Sequence, residues 1–251
     1  MPIAEYVLAA MLEWTVKLRA MDASLRQCTW RSQPPGNNCS RQTLTHGQIA
    51  NKTLGILGYG HIGEAIATRA AAFGMRVVAT TLQPPQIPPA PLTWIGDDKS
   101  NPRLFRESDF LVVATPLLAS TRGLVDAELL AELSTTAVLI NIARGPIVQE
   151  QPLYEALHTG KIGGAVLDVW WHPLFNQTQG GTGPANWPSK FRFDELPNVI
   201  MSPHVSGDTP EALIESTREV AANLDALALG KPLENVVRKA SGPTTSSYRL
   251  A

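Results

Sequence analysis

The stretch LGILGYGHIGEAIATRAAAFGMRVVATT, residues 54–81, constrains the fold of this chain more than any other. Gly58, Gly60 and Gly63 stand in the spacing G-x-G-x-x-G. An apolar run precedes them, an alanine-rich helical pattern follows, and a second strand-like run begins at Val77. In a strand–turn–helix–strand setting such glycines point to a dinucleotide site. Gly58 permits the tight turn, and Gly60 lets the backbone approach a pyrophosphate. Gly63 lets the helix pack close to the sheet with its N-terminus facing the phosphates. His61 and Ile62, at the helix start, join the glycines as cofactor-binding positions.

A carboxylate about 20 residues further on ordinarily bonds the ribose of NAD. Thr81, 18 residues beyond Gly63, holds that place. Threonine cannot grip both ribose hydroxyls, yet it does not repel a 2′-phosphate. No lysine or arginine lies between Thr81 and Lys99 to clamp one. The cofactor is therefore expected to be NAD or NADP with weak discrimination, within roughly tenfold.

The remaining pattern alternates short apolar strands with helices, which implies βαβ units and a parallel sheet. The expected fold class is α/β, a doubly wound Rossmann-type parallel sheet with an N-terminal helical dimer arm and a C-terminal helix. Strands are expected at 54–57, 77–80, 110–114, 137–142, 164–169 and 199–202. Helices are expected at 3–20, 62–73, 126–133, 151–158 and 209–229. The first helix is apolar on almost every side and so is expected to be buried. Residues 82–103 hold six prolines and read as irregular loop. Residues 174–193 read as a Gly/Pro/Asn-rich excursion. The expected boundaries are a cofactor domain over 3–237 and a polar tail over 238–251. Within the domain, 3–50 form the arm and loop, 51–208 the Rossmann core and 209–237 the C-terminal helix.

A formal net charge of −1 gives no footprint for nucleic acid, and no apolar run approaches a membrane span. The first residues carry Glu5 and Glu13 and lack the basic start of a signal peptide. Cys28 and Cys39, the two cysteines, form neither a disulfide framework nor a metal site. They read as reduced thiols of a cytoplasmic protein, and no metal ligands are assigned.

The later motifs NIARGPIVQEQPLYEALHTGKIGGAVLDV (141–169) and LPNVIMSPHVSG (196–207) resemble the D-isomer-specific 2-hydroxyacid dehydrogenases. So do GQIANKTLGILGYGHIG and ATPLLASTRGLVDAELLAEL, and the likeness covers most of residues 3–237. The resemblance implies hydride transfer between a nicotinamide and a small 2-hydroxy or 2-keto acid, in a homodimer. Arg144 then matches the arginine that grips the substrate carboxylate, a role that suits its planar fork. His204 matches the general acid/base that takes the hydroxyl proton. Asp168 matches the acid that meets the nicotinamide carboxamide. Thr115 and Pro116 match the turn lining the cofactor cleft. Ala143 would offer its carbonyl near the nicotinamide, and Gly207 would help close that wall.

Two departures from the family stand out. Its catalytic glutamate follows the L-D-V step, where this chain reads LDVWWHPL. The matching position falls on His172 or Pro173, neither a carboxylate, and Trp170 and Trp171 read as packing. About a hundred residues of substrate domain precede the first helix in the family, and this sequence starts at that helix. Activity of these 251 residues alone is therefore expected to be impaired. The alternatives are a non-catalytic dinucleotide-binding dimer and a formate dehydrogenase-like enzyme, whose chemistry releases no hydroxyl proton.

Overall fold

The computed structural model describes residues 2–30, 40–41, 45–172 and 187–236. They fall in two compact units, 1–207 and 208–251.

The first unit opens with α1 (Pro2–Val16) and α2 (Leu18–Arg26). The expected single helix breaks at Lys17, whose φ of 56° lies in the left-handed region and turns the chain after one helix. Ala4, Val7, Leu8 and Met11 of α1 are buried at helical spacing, while Glu5 faces solvent. One face of α1 is therefore in the core rather than all of it.

Two short strands, β1 (Thr29–Trp30) and β2 (Ser40–Arg41), pair in parallel. Cys28, just before β1, is disulfide-bonded, which corrects the reading of a reduced thiol. The only other cysteine, Cys39, lies outside the described residues. A count of cysteines says nothing about strand pairing, and here Thr29 pairs with Ser40, one residue beyond each cysteine.

The Rossmann core follows. It runs β3 (Thr53–Leu57), α3 (His61–Ala72), β4 (Arg76–Thr80), β5 (Leu92–Gly96), α4 (Asn101–Glu107), β6 (Phe110–Val113) and α5 (Ala127–Glu132). Then come β7 (Val138–Asn141), α6 (Glu150–His158), β8 (Gly164–Leu167) and β9 (Val199–Met201). The seven strands are all parallel, in the order β5-β4-β3-β6-β7-β8-β9. β6, β7 and β8 are buried at every residue, as a parallel sheet covered on both faces requires. On one face α1 and α3 pack through Met11, Ile66 and Ala70; on the other, α4, α5 and α6 pack through Phe105, Leu130 and Leu153.

The reading of 82–103 as loop is corrected by β5 and the start of α4. Prolines before Leu92 hide a strand that sits at the sheet edge, where neighbouring prolines are tolerated. Glu107 on α4 anchors it. Its carboxylate accepts bonds from Trp94 Nε1 of β5 at 3.0 Å, Arg76 of β4 at 2.6 Å and Arg103 at 2.7 Å.

The second unit contains α7 (Pro210–Ala228), with the Thr209 hydroxyl accepting the Ala212 N–H at 3.1 Å and Pro210 in the first turn. Asn223 on α7 accepts the Glu234 N–H at 2.9 Å and so ties down the segment beyond it. No described helix is long and apolar enough to cross a membrane.

Candidate functional site: a cofactor cleft at the sheet switch point

The strand order reverses direction between β3 and β6, and ligands of open α/β sheets bind at the carboxyl ends of strands at such a point. A cleft lies there, lined by Gly58, Gly60, Thr81, Thr115 and Pro116 among others. These five sequence-derived residues come from three separate strand ends and meet in one place.

The glycines differ in what they permit. Gly58 has a φ of +102°, and a Cβ there would fall 2.6 Å from the Thr115 backbone N. A Cβ on Gly63 would fall 2.6 Å from the Gly58 carbonyl. Both are steric requirements of the turn itself. A Cβ on Gly60 would meet nothing within 4 Å, so the fold does not need glycine there. The open space over Gly60 fits a group brought against bare backbone. The first bond of α3 runs from Glu64 N to Gly60 O at 2.8 Å. The N–H groups of His61, Ile62 and Gly63 therefore precede the helical ladder and are suited to phosphate oxygens. A dinucleotide pyrophosphate fits this cradle.

The other candidate residues sit at neighbouring strand ends and do not line that cleft. Ala143 and Arg144 follow β7. Arg144 is exposed and donates to the Ala143 carbonyl at 2.6 Å. The turn is held by Asn141, fully buried, which accepts the Ala143 N–H at 3.1 Å and donates to the Arg144 carbonyl at 3.2 Å.

Asp168 follows β8 and is fully buried. One oxygen accepts the Ser202 hydroxyl at 2.5 Å and the Val205 N–H at 2.9 Å; the other accepts the Ser206 N–H at 2.9 Å. Burial opposes its ionisation, but the bonds from Ser202, Ser206 and Val205 outweigh that and hold the carboxyl below its ordinary range. Those bonds fix the segment carrying His204, whose φ of 61° is in the left-handed region. His204 is exposed, and among the described residues its side chain has no hydrogen bond or ion pair. Gly207 lies against α1, since a Cβ there would stand 3.6 Å from Ile3.

His172, one of the two positions matched to the family's glutamate, stands 3.6 Å from Glu150. Pro173, the other, lies outside the described residues. Trp170 and Trp171 are packing groups. Their indole N–H groups bond the Ser202 carbonyl at 3.0 Å and the Val148 carbonyl at 2.7 Å, and both rings meet Phe193.

Sequence reasoning missed Asn141, Ser202 and Tyr6. Asn141 could have been found as a polar residue closing an apolar strand. Tyr6 bonds Ser202 across 196 residues at 2.5 Å, which no local pattern reveals.

The model of the D-isomer specific 2-hydroxyacid dehydrogenase NAD binding domain matches residues 8–206. The chain belongs to this family. It is 32% identical over 240 residues to the D-3-phosphoglycerate dehydrogenase of Mycobacterium tuberculosis, covering 95% of this chain and 41% of that protein. It is 30% identical over 210 residues to the hydroxypyruvate reductase of Thermotoga maritima, covering 84% of this chain and 61% of that one. Among solved structures it resembles the D-lactate dehydrogenase of Lactobacillus jensenii with NAD+. The TM-score is 0.74 at 28% identity, covering 95% of this chain and 68% of that one. It also resembles an NADPH-dependent glyoxylate/hydroxypyruvate reductase from Sinorhizobium meliloti in complex with NADP and sulfate. There the TM-score is 0.71 at 28% identity, covering 94% of this chain and 67% of that one. The chain spans about two fifths of the length of the phosphoglycerate dehydrogenases it matches. The family supports NAD or NADP as cofactor, the same dinucleotide class the glycine cradle fits.

Proposed function

We propose that this chain carries the cofactor-binding and proton-transferring half of an NAD(P)-dependent oxidoreductase acting on a small 2-hydroxy or 2-keto acid. The observation that carries the reading is the placement of Arg144 and His204. Both are exposed at carboxyl ends of the parallel sheet that also holds the glycine cradle, and His204 is held in a left-handed conformation by a buried carboxylate.

The bound nicotinamide supplies the hydride acceptor or donor. Arg144, released from the Ala143 carbonyl, presents two parallel N–H donors to the substrate carboxylate and so orients the carbon bearing the hydroxyl. The His204 imidazole takes the proton from that hydroxyl during oxidation and returns it to the carbonyl oxygen during reduction. Asp168 acts through the backbone of the His204 segment. Its hydrogen bonds to Ser202, Val205 and Ser206 make it a positioning residue for His204.

We also place the protein in the cytoplasm as a homodimer. The reading of location rests on the need for NAD or NADP, and the Cys28 disulfide is the feature it must accommodate. The dimer rests on α2, where Leu18 and Leu25 are exposed on a strongly amphipathic helix. A second reading, a non-catalytic dinucleotide-binding dimer, draws on the His204 side chain: among the described residues the one histidine paired with a carboxylate is His172, with Glu150.

The test follows NAD(P)H absorbance with glyoxylate, hydroxypyruvate, pyruvate and formate. Consumption of a 2-keto acid is expected. Arg144→Ala and His204→Ala are each expected to lower kcat/KM at least about a hundredfold. Cofactor binding with no turnover of any keto acid would favour the second reading. Turnover unchanged in both variants would remove the assigned roles.

A further inference from the structure

One end of the cleft is bounded by two strand exits. Thr80, Thr81 and Leu82 leave β4, while Asp98 and Asn101 belong to the segment after β5. Among the described residues lining the cleft, Asp98 bears the one charged side chain.

Its position is built. Thr80 pairs with Gly96 in the sheet, and the Thr81 N–H donates to the Gly96 carbonyl at 2.9 Å. The residue before Asp98's neighbour Asp97 is thus locked beside the residue where an acid was expected. A Cβ on Gly96 would fall 2.4 Å from Ser100 Oγ, so glycine is what lets the turn at 98–100 fold back tightly on β5. Buried Asn101 accepts the Thr80 hydroxyl at 2.8 Å and clamps the far side of that turn. Asp98 is exposed. One carboxylate oxygen accepts the Lys99 N–H at 3.0 Å, and the other has no bond among the described residues.

We infer that Asp98 supplies from the β5 exit the carboxylate that Thr81 does not supply from the β4 exit, and that it selects NAD over NADP. A carboxylate accepts hydrogen bonds from ribose hydroxyls, which threonine matches only singly. The same negative charge repels a 2′-phosphate, and among the described residues no lysine or arginine lines the cleft to offset it. The weak discrimination expected from Thr81 alone is thereby replaced by a definite preference. This inference rests on the dinucleotide reading of the cleft.

Calorimetric titration with NAD and with NADP tests it on the wild type, Asp98→Asn and Lys99→Ala. The wild type is expected to bind NAD at least about tenfold more tightly than NADP. Asp98→Asn is expected to bring the two within about threefold, with an unchanged thermal melt because the side chain is exposed. Lys99→Ala is expected to leave the ratio unchanged, and salt is expected to narrow it in the wild type alone. Equal affinities in the wild type, or a ratio that persists in Asp98→Asn, would overturn the assignment. So would a larger effect from Lys99→Ala than from Asp98→Asn. If neither dinucleotide binds the wild type, the functional reading itself fails, a result distinct from equal binding of both.

Discussion

Asp168 shows how one side chain can set a catalytic geometry without meeting the substrate. It joins β8 to the segment after β9 by three bonds, and two of them come from the N–H groups directly following His204. A histidine at a φ of 61° is uncommon, and a conformation of that kind costs about 1 kcal/mol or more unless surrounding bonds fix it. Asp168→Asn would keep the shape but turn an amide N–H₂ towards donors. The expected loss is about 2–4 kcal/mol of stability, measured by urea unfolding at neutral pH. Its pH dependence has a defined sign. The native carboxyl lies below its ordinary range, so the stabilisation is complete above about pH 4 and falls away as pH drops through the native pKa. A loss under about 0.5 kcal/mol would show that other contacts hold His204.

At the scale of the element, β5 and α4 show what a sequence pattern leaves unread. The flanking prolines point to loop, yet the strand pairs with β4 and is tied to α4 by Glu107, which gathers Arg76, Trp94 and Arg103 onto one carboxylate. The Arg103 guanidinium also lies over the Trp94 ring, 4.4 Å from its centroid. These partners are 4 to 31 residues from Glu107, so no window of local periodicity contains them all. Partial burial opposes ionisation of Glu107, but the bonds from Trp94, Arg103 and Arg76 bring its pKa down to about 2. Glu107→Gln is expected to cost about 2 kcal/mol at pH 7. The wild type's advantage should shrink as pH falls from about 4.5 towards 2, because the unfolded state takes up the proton first. Urea midpoints for the two proteins across that range check this, and an advantage constant with pH would exclude the ionic contribution. By contrast, β3, α3 and β4 were legible from sequence. There the glycine spacing, the helical alanine run and the apolar strands all report short-range geometry.

At the scale of the whole molecule, the parallel sheet does most of the assembly. Its order brings Gly58, Thr81 and Thr115, which leave three different strands, to one cleft. The motifs made those residues legible individually. Their meeting depends on the crossovers, and so does the arrival of Asp98 from a segment read as loop. The break at Lys17 and the Cys28 disulfide were equally out of reach, since neither a left-handed lysine nor a bonded cysteine leaves a mark in hydrophobic periodicity. The central claim is that the bare backbone at Gly60 receives the dinucleotide phosphates, and Gly60→Val tests it most directly. Gly60 has an extended conformation, and an added Cβ there meets nothing within 4 Å, so the fold should tolerate valine. In calorimetric titration with NADH, the wild type is predicted to bind. Gly60→Val is predicted to bind at least about a hundredfold more weakly, about 2.7 kcal/mol, with stability within about 0.5 kcal/mol of wild type. Equal NADH affinity in the two proteins would contradict the account.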